Sequence, residues 1–162
     1  MMKNYIRFFC YCFLVLLLFC ICGCSATAPP TVSEIQEIFD RDRENILVVT
    51  DYFVSSGYSN LMVRDDDCKN MFADMKDVAI EDEAVVTALK ALAKNGYQTF
   101  SKNGNTVEFC VWSRLADVGC GMAYSIDGKA INVDYLTEST PLAEEGWFYF
   151  VDDFNEWREQ NR

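Results

Sequence analysis

The 162-residue chain contains no histidine. That absence excludes a His-based catalytic triad, an imidazole general base and histidine metal ligands. Basic residues are also scarce, 14 Lys+Arg against 25 Asp+Glu for a net charge of −11. Nucleic acid is excluded as a partner, because phosphate contacts need clustered Lys and Arg. No CxxC pair or HExxH-like spacing occurs, so zinc and thioredoxin-type chemistry have no carrier, and no cofactor or metal is expected. Long apolar runs are missing too. The longest is the 14-residue stretch Phe8 to Ile21, about 21 Å as a helix against a hydrocarbon core of roughly 30 Å.

That short run follows Lys3 and Arg7 and precedes Gly23, Ser25, Ala26 and Ala28, the layout of an export signal. An uncleaved anchor is the alternative, and the run is short for it. Ile21-Cys22-Gly23-Cys24 resembles a bacterial lipobox, with an aliphatic residue and a small one leading to the cysteine that receives lipid. Cleavage after Ala26-Thr27-Ala28 would place Pro29 directly after the cut, a poor fit. The expectation is a signal peptide over 1–23, lipid on Cys24, and a tether over 24–32 containing Pro29 and Pro30. The resemblance implies two or three acyl chains, palmitate among them, enough for stable attachment to the extracytoplasmic face of the cell membrane. Removing residues 1–23 takes away two cations and shifts the net charge to −13. Anionic headgroups repel such a surface, so lipid and not charge has to hold it.

Of eight cysteines, Cys10, Cys12, Cys20 and Cys22 leave with the signal and Cys24 takes lipid. Cys68, Cys110 and Cys120 remain, an odd number and no disulfide scaffold. A single Cys110–Cys120 bridge and three free thiols are both open readings.

Residues 33–162 read as one α+β domain. Ser33-Glu34-Ile35-Gln36 has the form of a capping box, and Ile35, Phe39, Ile46, Val49 and Phe53 recur at helical spacing up to the stop at Ser56-Gly57. The β-branched run from Ile46 to Thr50 would also suit a strand; helix is the better fit. Leu61-Met62-Val63 reads as a short strand. Asp65-Asp66-Asp67 after it is a solvated turn or a calcium loop, without the EF-hand alternation of carboxylates. A second helix starts at Asp82, buries Ala84, Val85, Ala88, Leu89 and Leu92, and ends at Asn95-Gly96.

From Tyr97 the period becomes two. Asn103-Gly104 predicts a hairpin pairing Phe100 with Val107 and Gln98 with Phe109. Asp127-Gly128 predicts another, joining Val118–Ile126 to Lys129–Tyr135. In it Val118, Cys120, Met122, Tyr124, Ile131, Val133 and Tyr135 share one face, and Gly119, Gly121, Ala123, Ser125, Asn132 and Asp134 the other. Trp147 to Val151 is a strand with large side chains on both faces, and Asp153 to Glu156 caps a short terminal helix. The expected architecture is two helices packed on a four- to five-stranded antiparallel meander, with a short C-terminal helix.

The segment Gly104-Asn105-Thr106, Tyr124 to Gly128, Pro141-Leu142, Trp147 to Phe150 and Trp157-Arg158 resembles the C-terminal part of a family of small Firmicutes lipoproteins. The resemblance covers about a third of the chain, in structural motifs. It implies an envelope location and carries no activity with it.

Two surfaces are candidates for function. Tyr97 and Trp112, with Trp147, Tyr149 and Trp157, form either an aromatic cleft or core filling. Gly119, Gly121 and Ala123 form a small-residue face that admits a partner's backbone or lies under a helix. Glu108 with Asp117 or Asp134 is the one candidate acid–base pair. The resulting expectation is a membrane-tethered, acidic, non-catalytic domain that binds an envelope protein or a cell-wall glycan. A small envelope hydrolase using a carboxylate pair is the alternative.

Overall fold

The computed structural model describes residues 28–63, 67–114, 117–131, 133 and 135–161. In chain order the elements are α1 (Val32–Ser55), β1 (Asn60–Val63), β2 (Asn70–Ala73), β3 (Lys76–Ala79), α2 (Glu83–Lys94), β4 (Thr99–Asn103), β5 (Thr106–Arg114), β6 (Val118–Ser125), β7 (Leu136–Pro141), β8 (Trp147–Asp153) and α3 (Phe154–Gln160). The strands form one antiparallel sheet in the order β3-β2-β1-β4-β5-β6-β8-β7. This is an α+β fold, and its eight strands exceed the four or five expected.

The long helix α1 is capped two residues earlier than the sequence suggested. Thr31 is the N-cap: its hydroxyl accepts from Glu34 N while its own N donates to Glu34 Oε2 at 2.8 Å. An anionic Glu34 at N3 closes the box better than a neutral Gln36 would, since it also meets the helix dipole. Gln36 turns outward instead and accepts from Ala143 N, tying α1 to the loop before β8. Ile35, Phe39, Ile46, Val49 and Phe53 form the buried stripe as expected. That stripe keeps the β-branched run helical, and the Thr50 hydroxyl donates back to Ile46 O.

α2 is capped by Asp82, whose carboxylate accepts from Ala84 N and Val85 N, and it ends at Asn95 and Gly96. Val86 is buried where Ala84 was expected, and Ala84 faces solvent. The two helices pack together and lie on one face of the sheet.

Three strands had no clear signal. β2 and β3 form a hairpin around Asp74 and Met75, both at positive φ (41° and 69°). Without glycine at that turn the usual sequence mark is missing. The Asp74 carboxylate holds the turn by accepting from Ser59 N and Asn60 N. β7 is the third.

The β4–β5 hairpin turns at Gly104-Asn105, with Asn103 opposite Thr106 and Phe100 opposite Phe109. This is two residues from the expected pairing, and an even shift leaves every side chain on its face. The Asp127-Gly128 hairpin does not form. The Asp127 carboxylate accepts from Lys129 N and from the Ser125 hydroxyl, closing a local turn. β6 then pairs with the aromatic strand β8, Tyr124 opposite Trp147 and Met122 opposite Tyr149. β8 brings Trp147, Tyr149 and Phe150 into burial, far more apolar area than Lys129–Tyr135 offers. Since β6 and β7 both run antiparallel to β8, the chain from 126 to 135 has to cross back along the sheet to reach β7.

Register then assigns the two faces. Rows Phe100-Phe109-Met122-Tyr149 and Lys102-Val107-Tyr124-Trp147 face the helices. Rows Ser101-Glu108-Ala123-Phe148 and Thr99-Cys110-Gly121-Phe150 lie on the second face.

Candidate functional site

The helix face is a closed core. Trp147 contacts Phe39, Phe109 and Tyr124 at ring-centroid distances of 4.8, 5.9 and 5.3 Å. Two of its buried charged side chains have clear tasks. Lys102 Nζ donates to Phe53 O at 3.1 Å, satisfying a carbonyl in the last turn of α1. Asp42 accepts from Arg41 and, at 2.7 Å, from Asn95 Nδ2 at the end of α2. Burial alone would raise the Asp42 carboxyl; those hydrogen bonds and the Arg41 charge outweigh it and hold it below its ordinary value. Tyr97 is in this core at 4% exposure, its hydroxyl near Asp42 and its ring stacked on Phe100.

The second face is built differently. Tyr135, delivered by the crossover, donates its hydroxyl to Glu108 Oε1 at 2.9 Å and stacks on Phe154 at the start of α3. Ser101 donates to Glu108 Oε2 at 3.3 Å. A cavity of about 390 Å³ lies here, walled by Met62, Val118, Phe150 and Phe154 and carrying Glu108, Cys110, Tyr135 and Asp152. A second hollow of about 450 Å³ adjoins it, sharing Met62, Ser101, Glu108, Tyr135 and Phe154.

The electrostatics of this cavity follow from burial. Burial raises the Glu108 carboxyl above its ordinary value, against hydrogen bonds from Tyr135 and Ser101, and the charge of Asp152 pushes the same way as burial. Burial raises Asp152 as well, offset in part by the N–H groups of Gly119 and Asp152 itself. Asp152 Oδ1 is buried and has no hydrogen-bond partner among the described residues. Burial and the neighbouring Glu108 charge move the Tyr135 hydroxyl far upward, so it stays a donor. Cys110 is raised by burial and remains a thiol. Among the described residues lining the cavity none is Lys or Arg. The arrangement suits a hydrogen-bond-donating or cationic group set among apolar walls.

The expected site residues are not brought together. Tyr97 is inside the helix-side core, and Trp112, half-buried, lines a depression with Ala28, Pro30 and Arg41. Gly119, Gly121 and Ala123 lie on the opposite face and are buried there. A Cβ on Gly121 would run into the Phe109 carbonyl oxygen, and one on Gly119 would sit 2.5 Å from Asp152 Oδ1. Their smallness is therefore used by the protein itself, for close β5–β6 approach and to seat Asp152.

Cys110 and Cys120 are free, as is Cys68. An irregularity in β5 between Cys110 and Trp112 sets Cys120 opposite Trp112 and Cys110 opposite Gly121. The two thiols thus face opposite sides of the sheet, and the bridge does not form. Burial pushes the Cys120 thiol up to about 11.

Asp117 is paired with Arg158 at 3.0 Å, away from Glu108. Asp134 and Cys24 lie outside the described residues, as do Asp65 and Asp66; Asp67 is exposed. Among the described residues no group of three or more Cys, Asp or Glu is placed to hold a metal. No described helix is long and apolar enough to cross a membrane.

Asp152 and Tyr135 are the partners of Glu108 that the sequence reading missed. Asp152 was legible in principle, since Phe148, Phe150 and Asp152 alternate along β8. Tyr135 was not, because the expected hairpin put it on the other face. No family model, curated protein or solved structure matches the chain.

Proposed function

We propose that the chain is a lipoprotein, anchored through Cys24 on the extracytoplasmic face of the membrane, whose acidic domain binds an envelope ligand without transforming it. The leader carries the location; the resemblance of Gly104 to Arg158 to Firmicutes lipoproteins agrees with it. The observation that carries the binding reading is the second-face cavity, with two desolvated carboxyls and Tyr135 among apolar walls. Desolvated carboxyls gain most from an ammonium or another donor-rich group. A cell-wall glycan peptide with free amino groups, or a basic protein segment, has that chemistry, and the −13 mature surface would speed encounter with a cationic partner.

The test is amide NMR of the domain from Ser25 onward, titrated with soluble peptidoglycan fragments bearing free amines. Shifts centred on Thr99, Ser101, Glu108, Gly119 and Asp152, lost in Asp152→Asn, support the reading. Shifts elsewhere, or none with the fragments and with a basic peptide, sink it. One observation favours a second reading, a hydrolase: Glu108 is raised by burial and feels Asp152 as a second carboxylate. That reading requires turnover on envelope glycans or peptides that Glu108→Gln abolishes.

A further inference from the structure

If Cys24 carries lipid, the fold also fixes how the domain stands on the bilayer. Ala28 and Pro30 lie beside Trp112, Ile38 and Arg41. The Cys120 thiol donates to Pro30 O at 3.6 Å. The tether thus reaches the sheet where β5 ends and β6 begins. Only three residues separate Cys24 from Ala28, four steps with a reach of at most about 14 Å.

The same end of the sheet carries α3. Val118 pairs with Asp153, Phe154 N donates to Asp117 O at 2.8 Å, and Arg158 pairs with Asp117. Trp157, one turn into α3, is 37% exposed, one of the few large apolar side chains on the described surface. Indole rings favour the headgroup level, where one edge is apolar and the other wet.

Trp147, the third tryptophan of the chain, is at the other end of β8. It is 2% exposed, and six strand steps from Asp153 place it about 20 Å away. Trp112 is opposite Cys120, and Trp147 opposite Tyr124, four steps or about 13 Å along β6.

We infer that the end of the sheet bearing Trp112 and Trp157 is the membrane-facing surface, with the lipid bilayer as its partner and Trp157 at headgroup depth. The opposite end, with the Gly104-Asn105 turn and Asp127, points away. Val118, Gly119, Asp152 and Phe154 place the second-face cavity in the membrane-proximal half. This inference rests on the lipid-anchor reading.

The three tryptophans make a ruler. The full-length protein, expressed in an exporting bacterial host and purified from its membranes, is reconstituted in phosphatidylcholine vesicles with and without a lipid brominated near the headgroup. Intact mass and co-sedimentation with vesicles are measured on the same sample. Roughly half of the tryptophan emission is expected to be quenched, with Trp157→Phe removing the largest share and Trp112→Phe a smaller one. The emission left in the Trp112→Phe/Trp157→Phe double variant, from Trp147, should be quenched by less than about a tenth. Both positions are at least part-exposed, and circular dichroism checks that the fold is kept. Co-sedimentation without quenching, or quenching insensitive to both substitutions, overturns the orientation while leaving the anchor standing. An unacylated mass with no co-sedimentation removes the anchor, and the orientation with it.

Discussion

The two faces of the sheet were made by different rules. On the helix side, rows of large apolar residues from four strands meet the stripes of α1 and α2, and the described polar groups there are few. On the other side the strands offer Gly119, Gly121, Ala123, Thr99 and Ser101, and the cavity there is walled in part by Tyr135 and by Phe154 of α3. Phe150 and Ala123 are buried yet do not belong to the helix-side cluster. A face patterned for packing has no room for a ligand. The second face keeps cavities and desolvated carboxyls.

The contrast is broken most severely from within. Phe109→Ala on the helix side should cost about 3–5 kcal/mol, because the surrounding aromatic cluster leaves a cavity it cannot fill. Gly121→Ala on the second side should cost a comparable amount, about 3 kcal/mol, through backbone overlap with Phe109 O and not through lost area. Urea unfolding measures both. A Gly121→Ala variant of unchanged stability would mean that β5 and β6 separate easily at this point.

Smaller and more diagnostic is the pH response. Glu108 has its folded-state pKa raised, so its contribution to stability is fully present below the unfolded value and is lost as pH rises through the folded one. Asp152 acts in the same direction, while Asp42 and Glu144, both lowered, act oppositely and lose stability in acid. The difference between wild type and Glu108→Gln isolates the first. The variant should gain relative stability as pH rises above the ordinary glutamate value of 4.5. Thermal unfolding across pH 4–8 checks the sign. Tyr135→Phe removes a hydrogen bond that pulls Glu108 down, so it should move that crossover to higher pH at a cost of about 1 kcal/mol.

The smallest effect lies outside both faces. Met75 is 84% exposed at φ 69°, a conformation glycine adopts without strain. Met75→Gly should stabilise the β2–β3 hairpin by about 0.5–1 kcal/mol, read as a higher urea midpoint.

Much of the helix side was legible beforehand. The stripe from Ile35 to Phe53, the Asp82 cap and the shared face of Phe100, Val107 and Phe109 follow from period and capping chemistry alone. The β4–β5 turn was placed wrongly by one position, and the error cost nothing, since an even register shift preserves the face. The second side was not legible to the same degree. Glu108 was singled out, but with Asp117 or Asp134 as its partner and without Asp152, and Tyr135 was assigned to the wrong face. Asp127-Gly128 carries a strong hairpin signal that β8 outcompetes, and a local signal holds no information about a strand twenty residues further on.

By itself the sequence determined the three helices, five of the eight strands, most of the helix-side core and the features that point to an envelope address. Each rests on residues within a few positions of one another: a cap, a stripe, an alternation, a charged start before an apolar run. The tertiary structure alone decided that β8 enters between β6 and β7, that the chain from 126 to 135 crosses back, and that Glu108, Tyr135 and Asp152 meet. Those outcomes depend on which distant strand buries the most apolar area against β6, a competition between segments that no local pattern records.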